Sequence, residues 1–213
     1  MKALVTGFDP FGGEAVNPAQ EALARLRPRL GPLTVETCVV PTVFGRSLDA
    51  LATAIDKARP DLVLCVGQAG GRPALSLERV AINVDDARIP DNDEQQPIDL
   101  PVVKGGPAAY FTTLPIKAAV AALRHAGLPA IVSNTAGTFV CNHLFYGLMH
   151  LAAQRGNAFR GGFLHIPYLP QQAQRHAGAP SMAIEHIAQG IEIILATAAS
   201  RVEDLVLAEG AES

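Results

Sequence analysis

Short apolar runs of strand length alternate with longer amphipathic stretches along most of this chain. Lys2–Gly7, Leu33–Val40, Leu62–Val66, Ala130–Ser133 and Gly162–Ile166 read as strands. Between them a helix opens at Asn17-Pro18, where Asn suits the cap and Pro the first turn, and closes by Pro28. Ser47–Lys57 is helical, with Leu48, Leu51 and Ile55 on one face. Pro115–His125 and Phe139–Gln154 are further helices, each stopped by a glycine, and Ser181 to about Leu207 predicts a long closing helix. Such alternation predicts an α/β domain with helices on both faces of one sheet. Leu75–Val84 alternates apolar and polar residues like a half-exposed strand. No crossover helix separates it from the Tyr110 region, so the sheet should be mixed rather than wholly parallel.

At 213 residues the chain suits one domain, residues 1–213. A chain of this size buries roughly 70% of its unfolded surface without staples. Its hydrophobic share of 49% against 17% charged is that of a globular protein. The net charge of -3 gives no global basic field for nucleic acid. Apolar stretches break well short of the ~18 residues of a membrane span. The N-terminal MKALVTGFDP leaves no room for a signal-peptide core, which sets the expected location as the cytoplasm. Cys38, Cys65 and Cys141 are too few and too widely spaced for a disulfide framework or a structural zinc site. No metal or cofactor is expected.

Ligands in α/β folds sit beyond the carboxyl ends of strands. That rule selects four loops: Gly7–Pro18, Gly67–Pro73, Asn134–Thr138 and Pro167–Pro170. A fifth segment, Asp85–Pro107, is long, polar and aperiodic, as functional or disordered loops are. GFDPFGG and GQAGGR match neither dinucleotide nor P-loop patterns, and read as tight turns that bring backbone close to a small ligand.

Cys38 and Cys65 lie in β-branched runs, where a small buried thiol is the ordinary reading. Cys141 instead falls in the first turn of a helix, after the small-residue loop of SNTAGTFVCNHL. The helix start favours a thiolate and offers unpaired N–H groups to an oxyanion, although a structural thiol facing the sheet has the same pattern. A nucleophilic thiol needs a base and an orienter. Among six histidines, His165 alone ends a strand, in GGFLHIPYLP; a satisfied core histidine is the competing reading. His143, two residues from Cys141, should face elsewhere. His176 and His186 look solvated.

Glu78 stands inside an apolar strand pattern, either held for a purpose or paired with Arg79 across solvent. Asp85 and Asp86 are rivals that also read as turn residues. Phe8, Phe11 and Phe139 fall on the site loops, as loop packing or as walls around a flat uncharged ligand.

GFDPFGG with Asn17-Pro18, GQAGGRPALSLERVAINVDDARIPDN, SNTAGTFVCNHLFYG and GFLHIPYLP, in this order, resemble the type I pyroglutamyl peptidases, which are cysteine peptidases. The resemblance implies a three-layer α/β/α sandwich with a mixed, mostly parallel sheet. It implies an omega peptidase that removes an N-terminal pyroglutamyl residue, without a cofactor, through a Cys141–His165–Glu78 triad. Phe8, Phe11, Ile89 and Phe139 would line a lactam pocket, Gln68 would stand at its edge, and Arg88 would lie near the active cysteine. A homotetramer and N-terminally pyroglutamylated peptides as substrates are also implied. Ala19 departs from the Ser expected after Asn-Pro. From other classes, a phosphorylase-like transferase and a non-catalytic binding protein use the same scaffold.

Overall fold

A computed structural model describes residues 1–210; the last three residues of the expected domain lie outside it. Its centre is a seven-stranded sheet in the order β2-β3-β1-β4-β9-β5-β8. The strands are β1 (Lys2–Phe8), β2 (Arg29–Leu30), β3 (Leu33–Val40), β4 (Leu62–Gln68), β5 (Leu75–Glu78), β8 (Ala130–Ser133) and β9 (Arg160–Ile166). Pairs β3-β1, β1-β4, β4-β9 and β5-β8 are parallel, while β5-β9 and β2-β3 run antiparallel. The sheet is thus mixed and mostly parallel, as expected.

Alternation along each strand divides the core. Val66, Leu164, Ile166 and Leu77 belong to one apolar cluster, with Ile187 and Ile191 of α6 (Ile184–Ser200) and Val120 of α3 (Ile116–His125). Ala19 and Ala22 of α1 (Pro18–Leu23) join the same cluster. Leu4, Phe8, Cys65 and Phe163 point the other way, against α2 (Arg46–Ala58) and α4 (Val140–Gln154). Two helical layers therefore enclose one sheet. A four-residue turn of helix, α5 (Pro170–Ala173), follows β9.

Two expected elements differ. The Leu75–Val84 strand divides at Arg79. Residues before it form fully buried β5, and β6 (Val80–Ile82) pairs with β7 (Ala109–Phe111) in a separate two-stranded sheet. The cause is a change of partner: the Arg79 N–H donates to Ser133 of the main sheet, while its carbonyl accepts from Thr112 beside the small one. The closing helix stops at Ser200, because Arg201 turns to φ -142, ψ 133. Asp204 then folds back and accepts from the Lys117 and Ala118 N–H groups at the start of α3.

At the start of α1, Asn17 accepts from the Ala19 N–H at 2.9 Å. Ala19 is wholly buried against Gly7, where an added Cβ would stand 2.8 Å from the Ala19 carbonyl. A small residue suits that contact. Cys38 is half-buried rather than enclosed, because β3 has only the two-residue β2 on its outer side. Among the described residues, no helix is long and apolar enough to cross a membrane.

Candidate active site

The carboxyl ends of β4 and β9 meet the start of α4, and antiparallel β5 brings Glu78 alongside. Cys141 is the second residue of α4, after an N-cap, Phe139, whose side chain caps nothing. Buried Asn142 fixes this helix start, accepting from the Ile82 N–H and donating to the Ile82 and Val84 carbonyls. The Cys141 sulphur lies over Gly67 of β4, where an added Cβ would stand 2.8 Å from Sγ. The register partner of Gly67 on β9 is His165. Paired positions of parallel strands share a face, so imidazole and thiol occupy the same side of the sheet.

His165 Nδ1 lies 2.7 Å from Glu78 Oε1. Antiparallel pairing of β5 with β9 brings them together, with Glu78 opposite Phe163 and Ser76 opposite His165. Glu78 is fully buried, so it does not pair with Arg79 across solvent. Its cationic partner is Arg72, whose Nη1 reaches the same Oε1 at 2.6 Å. Arg79 turns instead to Asn134.

Burial holds the His165 pKa below its ordinary value, against the opposing pull of Glu78. Part of Cys141 remains accessible, yet its surroundings are dense enough that burial pushes the thiol up to about 12, with Glu78 adding to the effect. The helix-start preference for a thiolate is therefore outweighed by desolvation in the resting site. Burial thus favours the neutral form of each group. Among the described residues, no hydrogen bond joins the two.

The aromatic residues take different positions. Phe8 is 2% exposed and packs at 6.5 Å on Phe163, whose ring in turn meets that of His165. Phe11 and Phe139 are half-exposed and face each other at 6.2 Å. Phe44, which the sequence analysis missed, meets Phe139 edge-on at 5.5 Å. Pro41–Gly45 follows β3, so the strand-end rule would have found it.

Ile89 is half-buried and Arg88 exposed, on the loop whose Asp86 N–H donates to the Thr138 carbonyl beside Phe139. That long segment is tied down rather than loose: Asp91 accepts from Phe44, Asp93 and Gln95 N–H groups. Gln68 follows Gly67 and points to the opposite face, where its Oε1 accepts from buried Gln172 at 2.9 Å. Contact between Gln68 and a ligand beside Cys141 would therefore come from its main chain.

His143 faces away from the thiol, with Nδ1 at 2.8 Å from Asp85 and Nε2 accepting from the Gly45 N–H. Both nitrogens are occupied, so it is no rival base, and buried Asp85 is more than a turn residue. His176 is not simply solvated: it pairs with Glu14 and stacks on Tyr168. Among the described residues, no group of three or more His, Cys, Asp or Glu could hold a metal ion.

A model of the family described as pyroglutamyl peptidase matches residues 1–201. The pyrrolidone-carboxylate peptidase of Brevibacillus brevis is 55% identical over 208 residues, 97% of either chain. That of Erwinia tasmaniensis is 56% identical over 211 residues, covering 99% of this chain and 98% of its own. The crystal structure of pyroglutamyl peptidase I from Bacillus amyloliquefaciens superposes with a TM-score of 0.95 at 51% identity, over 97% of this chain and 99% of that one. A mutant pyrrolidone carboxyl peptidase from Pyrococcus furiosus gives 0.91 at 40% identity, over 94% and 99%. The chain belongs to the pyroglutamyl peptidase family of cysteine-type hydrolases.

Proposed function

We propose that this enzyme hydrolyses the bond after an N-terminal pyroglutamyl residue through a thioester on Cys141. One observation carries the mechanism: the Cys141 sulphur lies over the residue paired with His165, and His165 is held by Glu78. Glu78 fixes the imidazole with its proton on Nδ1, leaving Nε2 bare to act as the base. Thiol and imidazole rest neutral, so the Sγ proton moves to His165 as sulphur attacks the pyroglutamyl carbonyl. Unpaired N–H groups at the start of α4 receive the oxyanion. The tetrahedral adduct expels the amine, which takes the proton from His165. Water, deprotonated by the same imidazole, then releases pyroglutamate from the thioester.

Phe11, Phe139, Ile89 and Phe44 form the apolar outline expected for an uncharged lactam, with Phe8 supporting from behind. The Gln68 main chain serves as the polar edge, and Arg88 flanks the entrance. The reaction needs no cofactor. The cytoplasmic location, the single domain and the homotetramer remain part of this reading. Exposed Ile98, Leu100 and Phe111 offer apolar surface to a subunit contact.

The direct test is incubation with a pyroglutamyl amide that reports its leaving group, with intact mass measured after a rapid quench. Release of the amine, with a pyroglutamyl adduct on Cys141, supports the proposal. No release, or an adduct elsewhere, refutes it.

A further inference from the structure

Arg72 belongs to none of the roles assigned above, yet it touches three parts of the site. Its Nη1 donates to Glu78 Oε1 at 2.6 Å and to Ser133 Oγ at 3.2 Å. Its Nη2 donates to the Thr135 carbonyl at 2.9 Å. The first contact holds the orienting carboxylate; the other two hold the loop that leads into α4 and Cys141. Glu78 is fully buried, and its second oxygen, Oε2, has no hydrogen-bond partner. A carboxylate so enclosed needs a cation beside it. Without one, its charge favours the imidazolium form of His165.

We propose that Arg72 is a positioning residue that neutralises Glu78, so that Glu78 orients His165 without converting it to imidazolium. This rests on His165 being the base. His165 and Arg72 share one oxygen of Glu78, so the imidazole bonds to a carboxylate whose charge is already partly balanced. The charged and titratable groups around the imidazole are Glu78 from β5, Arg72 from the β4–β5 loop and Cys141 from α4. Of these, Glu78 favours the imidazolium and Arg72 opposes it. Arg72 also lowers the Cys141 pKa against the larger effects of burial and Glu78. The fork geometry matters as much as the charge. A guanidinium reaches the carboxylate, the hydroxyl and the carbonyl together, while an ammonium on a flexible stem cannot hold all three in plane.

The experiment is the pH profile of kcat/KM on a pyroglutamyl amide for wild type, Arg72→Gln and Arg72→Lys. Arg72→Gln should lower kcat/KM at neutral pH by at least about tenfold and move the acid limb up by about one pH unit, because a neighbouring charge shifts a buried group by that order. Arg72→Lys should keep the limb near the wild-type position and lose rate chiefly in kcat. An Arg72→Gln limb that coincides with wild type overturns the proposal, as does an Arg72→Lys limb displaced equally far. If Arg72→Gln does not fold, Glu78→Gln is compared with the Glu78→Gln/Arg72→Gln double variant, in which both charges are absent. The double variant's acid limb should fall close to that of the single variant, because Arg72 acts through a carboxylate that is then absent, and a displacement of about one pH unit between the two refutes the idea. Wild-type protein that leaves the amide intact would instead defeat the peptidase reading itself, a separate result.

Discussion

Gly67 lies directly beneath the sulphur of Cys141, and the contact leaves no space for a side chain. An added Cβ would stand 2.8 Å from Sγ and 2.9 Å from Phe163 Cζ. One neighbour is the proposed nucleophile and the other a packed ring of the core, so neither moves freely. Gly67→Ala should lower kcat/KM by about 10²-fold, the scale on which an ångström of misplacement acts. Overpacking should destabilise the fold by about 1–3 kcal/mol. Kinetics and a thermal melt of the same sample check both. Unchanged turnover would mean that the sulphur reacts from another position.

The three cysteines should separate cleanly. Cys141→Ala should abolish turnover. Cys65 is buried and Cys38 lies between β3 and α2, so Cys65→Ala and Cys38→Ala should keep the activity of whatever fraction folds. Measurable turnover by Cys141→Ala protein, above the contamination level of a parallel mock preparation, would sink the thioester mechanism.

His165→Ala should cost as much as losing the nucleophile, since triad members act as a unit. Glu78→Gln should be milder in rate, because an amide oxygen still accepts from Nδ1. It should nonetheless destabilise the protein, by about 1–3 kcal/mol, as the Arg72 charge loses its partner in a partly wet site. Equal activity of wild type and His165→Ala would assign the base elsewhere.

Burial places the His165 pKa below its ordinary 6.5. Activity that needs neutral imidazole should therefore persist as pH falls through 6.5 and decline only below it. The stability effect has the same sense. An unfolded His165 takes a proton near 6.5 while the folded one does not, so its contribution is complete above that pH. The contribution is lost as pH falls through the folded value. The kcat/KM profile, with denaturant melts of wild type and His165→Gln on either side of pH 6.5, checks both. An acid limb centred above 6.5 would mean that the site raises the His165 pKa instead of lowering it.

The proposed catalytic constellation is legible because each member breaks a local pattern: a thiol at a helix start, a histidine at a strand end, a carboxylate among apolar strand residues. Their mutual distances are not, because they depend on β9 lying between β4 and β5 with opposite senses on its two sides. Arg72 was hidden for a related reason. It sits in a glycine-rich turn with no periodicity, and its three partners come from β5, the end of β8 and the loop beyond. The overlong closing helix came from Val202, Leu205, Val206 and Leu207, which continue an apolar pattern. The chain there turns back toward α3, where Asp204 meets exposed N–H groups. Local sequence showed the hydrophobicity and concealed that competing cap.

Substrate choice tests the pocket independently of the nucleophile. The half-exposed rings of Phe11 and Phe139, with Phe44 edge-on to the second, are the proposed apolar outline, and Phe139 precedes Cys141 by two residues. Pyroglutamate fits that outline without a charge. An N-terminal Gln or Glu brings an ammonium group whose desolvation no residue of that lining compensates. An N-terminal Pro keeps a ring but lacks the lactam carbonyl, and leaves its polar partner in the site unsatisfied. A site built to hydrogen-bond a substrate group discriminates by as much as about 10⁴-fold against an analogue without it. Side-by-side kcat/KM values for pyroglutamyl, glutaminyl and prolyl amides of one leaving group should fall steeply after the first. Phe139→Ala should lower the pyroglutamyl value and narrow that gap, since removing the wall admits water to the charged competitors. Comparable values for all three amides on wild-type enzyme would show that these rings do not define the pocket, even with Cys141 as the nucleophile.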